Sequence, residues 1–149
     1  MHILVSVAWI GVDACVLLLA ALGSAAGNAV LARSSFVVLG PIAVDLLLPL
    51  PLLALFTGIV LSLGTRWGLL RYYWVLVSLV LTTAAAAAVL FELRPRLITA
   101  SARAQAGLAV GAVGHQIMVA AAVALVVLCV ITAINVVKPW GRTQRRNSG

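Results

Sequence analysis

PIAVDLLLPLPLLALFTGIVLSLGTRWGLLRYYWVLVS, from Pro41 to Ser78, is an apolar run, a short turn with two arginines, and a second apolar run. The hydrophobicity breaks over Gly64-Thr65-Arg66-Trp67-Gly68, and Arg71, Tyr72, Tyr73 and Trp74 lead back into it. Tryptophan and tyrosine rings have an apolar body and a wet edge, which suits the headgroup layer of a bilayer. Arginine reaches the same layer by snorkelling. The stretch therefore predicts a helical hairpin that enters and leaves one face of a membrane.

Composition extends that reading to the whole chain. Of 149 residues, 64% are hydrophobic and 9% charged, against roughly a quarter charged in a soluble domain. Several apolar runs reach the length of about 20 residues that crosses ~30 Å of hydrocarbon. The net charge of +7 comes almost entirely from arginines between and after these runs. In a soluble protein it would raise nucleic acid as a partner; here the arginines read as flanking anchors, and the expected partner is the lipid bilayer. Cys15 and Cys129 fall inside apolar runs at different depths, so free thiols are expected. The first run precedes LGSAAGNA, a cleavage-like segment. Because it lacks a basic leader and carries Asp13, it reads as a retained span.

The fold predicted is all-α: a four-helix transmembrane bundle with spans at about 3–22, 36–63, 72–91 and 113–137, then a basic flexible tail at 138–149. His2, Trp9 and Asp13 are seven and eleven residues apart, near whole turns, and so share one face. Asn28, Arg33, Ser34 and Ser35 read as a bridge into the second span. Pro41, Pro49 and Pro51 each remove a backbone donor there, so a kink is expected. FELRPRLITASARAQAG reads as a loop or surface helix after the third span. Gly107 and Gly111 at a GxxxG spacing, with the run Ala84 to Ala88, make a homo-oligomer or a membrane-protein partner plausible on packing grounds. With four spans, Arg66, Arg71, Lys138, Arg142, Arg145 and Arg146 face Arg33, Arg94, Arg96 and Arg103 across the bilayer. Six against four favours cytoplasmic termini.

Ionisable groups inside spans carry the functional question, since each costs at least ~2.5 kcal/mol on insertion scales. At 1.5 Å per residue, Asp45, Glu92 and His115 count to roughly 28, 30 and 34 Å from the opposite ends of their spans. They are expected near one outer level, where they either form a polar cluster for a proton, cation or polar ligand, or simply meet water and arginine. Asp13 lies nearest mid-membrane. It either bonds to a polar group such as Thr57, Ser78 or Thr83, or relays a proton. His2 belongs at the face opposite His115, so the two cannot clamp one haem, and His115, Met118 and Cys129 make no compact metal site. No cofactor is expected from spacing. No nucleophile with its base, phosphate-cradling glycine loop or metal-ligand spacing is present.

HILVSVAWIG from His2 to Gly11, TGIVLSLGTRWGLLRYYWVLVSLVLT from Thr57 to Thr82, and GHQ…NVVKPWGRT from Gly114 to Thr143 resemble one family. That family comprises small four-span integral membrane proteins of actinobacteria, a domain of unknown function. More distantly, the His–Trp–Gly pattern and the last-span histidine are similar to the copper-resistance D family and a membrane protoporphyrinogen oxidase family. The distant resemblance implies haem or copper, with His2 or His115 as ligands. The function expected is a non-enzymatic subunit or a small solute or ion carrier, the alternative being a haem- or copper-handling redox protein.

Overall fold

A computed structural model of the chain describes residues 1–64 and 72–137. The arginine-bearing turn and the basic tail, with Arg66, Arg71, Lys138, Arg142, Arg145 and Arg146, lie outside the described residues. Four antiparallel helical rods form a bundle, and all four are long and apolar enough to cross a membrane. The first is α1, His2–Ala25. Its buried residues Trp9, Asp13, Val16, Ala20 and Gly23 recur at steps of four and three, the spacing of a single helix face.

The second rod is longer than the apolar run alone predicts. It comprises α2, Ala29–Pro41, a π-helical segment Ile42–Leu46, and α3, Pro49–Gly64. The supposed bridge is helical because Asn28 caps it: its side-chain oxygen accepts from the Val30 N–H at 2.8 Å. Ser34 and Ser35 turn their hydroxyls onto the helix's own Val30 and Leu31 carbonyls, at 2.8 and 2.9 Å, so they need no loop or water. The prolines act as expected, by interrupting the α register. The Leu47 N–H reaches back five residues to the Ile42 carbonyl, and a turn at Leu47 and Leu48 precedes Pro49.

The third rod repeats the device. It runs α4, Tyr73–Ala88, a second π segment Val89–Leu93, and α5, Arg94–Gln105. Pro95 follows this π segment as Pro49 follows the first. The stretch read as a loop or surface helix is thus a continuation of the rod, packed against α2. At 1.5 Å per residue the 36-residue second and 33-residue third rods measure roughly 54 and 50 Å, well beyond ~30 Å of hydrocarbon.

Polar side chains of the third rod hold the second together. Pro41 has no N–H to offer the Val37 carbonyl, and the Ser101 hydroxyl donates to that carbonyl instead, at 2.9 Å. Ala43, inside the first π segment, has a carbonyl that accepts from Arg94 Nε at 3.2 Å. Arg94 directly follows the second π segment, and α5 packs against the first. Arg33 Nη2 closes the far end by donating to the Gln105 carbonyl at 2.8 Å.

The last rod is α6, Ala112–Val137, and it packs most extensively on α1. Gly107 and Gly111 have φ of 74° and 60°. They therefore form the left-handed turns between α5 and α6 and supply no helical GxxxG face, a correction to the packing motif read from spacing. The Phe36 ring locks the corner of α1, α2 and α6. A Cβ added to Gly23 would come within 2.7 Å of it, and one added to Gly114 within 2.8 Å.

Candidate functional site

Asp13 is the most deeply placed polar side chain. It is fully buried, and neither carboxyl oxygen has a hydrogen-bond partner among the described residues. Trp9 lies one turn earlier on the same face, and its indole N–H is likewise buried without an acceptor. The partners proposed for Asp13 from sequence are committed elsewhere. Thr57 bonds to His2 and to the Leu53 carbonyl, Ser78 to Asn135, and Thr83 to the Leu79 carbonyl. Among the buried polar residues, Ser35, Ser78 and Ser101 all have partners; Asp13 stands apart.

The outer polar cluster does not form. Phe36 touches Gly23 and Gly114 and so marks one level of the bundle. Asp45 lies nine residues beyond Phe36 and Asp13 ten residues before Gly23, which puts both about 13–15 Å nearer the terminal end. Glu92 belongs to the same level, since neighbouring Arg94 reaches the Ala43 carbonyl. The three acidic residues of the chain thus share a level, and His115, next to Gly114, is a dozen or so ångströms away. The count from span ends fails because the rods differ in length and the second starts at Ala29, well before Phe36. Facing also differs: Asp13 points into the bundle, whereas Asp45 and Glu92 are exposed. Glu92 is held by Arg96 Nη2 at 2.6 Å, an i, i+4 pair on the surface. His115 is exposed beside Arg33 at a cavity of about 780 Å³ at the end remote from the termini.

At the opposite end His2 is fixed by α3. The Thr57 hydroxyl gives its hydrogen to the Leu53 carbonyl at 2.6 Å. Its oxygen also shares a hydrogen bond with His2 Nδ1 at 3.0 Å. The ring lies over Gly58, where a Cβ would come within 3.1 Å of Cε1. Ser78 donates to Asn135 Oδ1 at 2.9 Å, joining α4 to α6. His2 and Asn135 both line a cavity of about 380 Å³. Reading by residue type singled out His2 but missed Asn135, whose signal is an amide in the last, otherwise apolar turn of α6.

The two histidines thus sit at opposite ends of the bundle, too far apart to hold one haem between them. No group of three or more His, Cys, Asp or Glu side chains able to hold a metal ion occurs among the described residues. Cys15 and Cys129 are free and exposed.

Comparison with known proteins finds no similarity: no family model, curated protein or solved structure matches the chain. The site must be read from its own chemistry. A buried carboxyl with no hydrogen-bond partner on either oxygen among the described residues can accept a proton or a small cation.

Proposed function

We propose that this chain is a multi-pass protein of a bacterial cytoplasmic membrane, with both termini cytoplasmic, and that it carries a small cation, the proton included, on Asp13. The observation that carries the reading is the carboxyl group buried in the middle of α1 with both oxygens unpartnered. Such a group costs at least ~2.5 kcal/mol at the centre of a membrane helix, a cost that structural residues avoid by pairing. Four helices of spanning length and the six-to-four arginine and lysine bias support the membrane placement and orientation.

The test is flux through reconstituted protein. Liposomes holding the wild-type chain, given an imposed pH or potassium gradient, are expected to dissipate it faster than empty liposomes, and Asp13→Asn is expected to return the rate to the empty-liposome value. Equal rates for wild type and Asp13→Asn, or no rate above empty liposomes for any of the gradients, would contradict the proposal.

A further inference from the structure

We propose that the cavity at the end of the bundle remote from the termini holds the phosphate headgroup of an anionic phospholipid. The proposal rests on the membrane placement given above and is independent of cation transport by Asp13.

Charge selects an anion. The cavity of about 780 Å³ is walled by the end of α1, by Ala29, Ala32, Arg33 and Phe36 on one face of α2, and by the α5–α6 connection with His115 beyond it. Arg33 and His115 line it, and no aspartate or glutamate does. A second guanidinium is tied to the same wall, because Arg103 Nε donates to the carbonyl of Ala109, a lining residue, at 3.0 Å. The whole chain has three acidic residues, Asp13, Asp45 and Glu92, and all three lie about 13–15 Å nearer the terminal end. No acidic side chain therefore answers the positive charge here. A cation would be repelled, and an anion attracted.

The donors suit a phosphate. Arg33 Nη2 donates to the Gln105 carbonyl at 2.8 Å, which holds the guanidinium at the wall and leaves the other N–H groups of its fork to donate. Ser24 on α1 and His115 on α6 face the same cavity. The hydroxyl can donate one hydrogen bond, and the imidazole donates at least one in either tautomer. Three helices thus each bring a donor. A phosphodiester, with two charged and two ester oxygens, can accept from all three, and arginine pairs with phosphate bidentately.

Depth and size select a lipid rather than a free ion. Gly23 lies about 32 Å along α1 from His2 at 1.5 Å per residue, close to the ~30 Å of a hydrocarbon core. With His2 at one interface, the cavity opens at the headgroup layer of the other. Its volume falls in the range of small-molecule sites, roughly 300–1,000 Å³, with room for a glycerophosphate. Phe36, Leu108 and Val110 supply an apolar wall beside the polar groups, and Leu108 is 59% exposed, so acyl chains can leave over it toward the bilayer. A choline headgroup would bring an ammonium for which the lining has no acid.

The test is native mass spectrometry of the full chain in mild detergent, titrated with dioleoyl phosphatidylglycerol, dioleoyl phosphatidylcholine, oleate and inorganic phosphate. Phosphatidylglycerol is expected to bind at one per chain, at least tenfold more tightly than phosphatidylcholine or oleate, and to resist displacement by equimolar phosphate. Arg33→Gln is expected to weaken it at least tenfold. Ala29→Trp, which narrows the cavity and leaves its polar groups in place, should do the same. Arg96→Gln removes an equal charge outside the cavity and should leave binding unchanged. The comparison of ligands on the wild-type chain stands even where a variant misfolds. Phosphatidylglycerol bound no more tightly than phosphatidylcholine or oleate, its displacement by equimolar phosphate, an equal loss in Arg96→Gln, or wild-type affinity in folded Arg33→Gln and Ala29→Trp would each overturn the proposal. Extraction of the chain from membranes by alkaline carbonate would instead overturn the placement on which it rests, a failure distinct from weak lipid binding in detergent.

Discussion

Ser101→Ala is the substitution that most sharply tests how the long rods are held together. Ser101 is 3% exposed and donates to the Val37 carbonyl at 2.9 Å. That carbonyl lacks its α-helical donor because residue 41 is proline. Cross-helix hydrogen bonds in membrane proteins average about 0.6 kcal/mol and reach about 1.7. An acceptor left buried and unpaired costs about 1–3 kcal/mol. Ser101→Ala belongs in the overlap, about 1–2 kcal/mol. Pro41→Ala restores an N–H four residues after Val37, so in that background the same substitution should cost under about 0.5 kcal/mol, a coupling of about 1 kcal/mol. The assay is reversible unfolding by SDS in mixed micelles for the four members of the cycle. Equal costs of Ser101→Ala in the two backgrounds, or no cost in the wild type, would refute the reasoning.

Three further outcomes follow from the same structure. Asp13→Leu removes an unpaired buried carboxyl and is expected to raise stability by about 1–3 kcal/mol in the SDS assay while eliminating flux, the trade expected when a functional group is costly to the fold. Gly114→Ala would place a Cβ 2.8 Å from the Phe36 ring and 2.9 Å from Ser24 Oγ. It should destabilise by about 1–3 kcal/mol, and Phe36→Leu in the same chain should recover part of the loss in thermal melts in detergent. Glu92→Gln breaks only the exposed pair with Arg96 and should shift stability by no more than about 0.5 kcal/mol in the same melts.

Much of the architecture was legible in the sequence, because a membrane demands long uninterrupted apolar runs and this chain has four. The ends of the middle rods were not. Arg33, Ser34, Ser35, Arg94 and Arg96 look like loop residues in a linear reading. Yet the serines fold onto their own helix, and Arg33 and Arg94 serve carbonyls 72 and 51 residues away in sequence. Periodicity carries no information about such partners. The π segments also escaped. Each packs extra residues into its turn, and so takes the residues within and beyond it, Asp45 and Glu92 among them, off the face that a 3.6-residue count assigns.

Asp13 was conspicuous as a lone acid in an apolar run, but its isolation was not. Thr57, Ser78 and Thr83 all looked available, and only the fold shows each bonded elsewhere. The pairing of His2 with Thr57 spans 55 residues and that of Ser78 with Asn135 spans 57. Both depend on which rods become neighbours, a matter of packing that composition does not reveal.

The most direct test of the central claim is infrared difference spectroscopy of the chain reconstituted in lipid, recorded across a jump in proton or potassium concentration. The account predicts one responsive aspartic carboxyl signal, identified by ¹³C-labelled aspartate and absent from Asp13→Asn but retained in Asp45→Asn. A spectrum with no responsive carboxyl, or one whose signal survives in Asp13→Asn, would contradict the assignment of Asp13 as the group that binds and releases the cation.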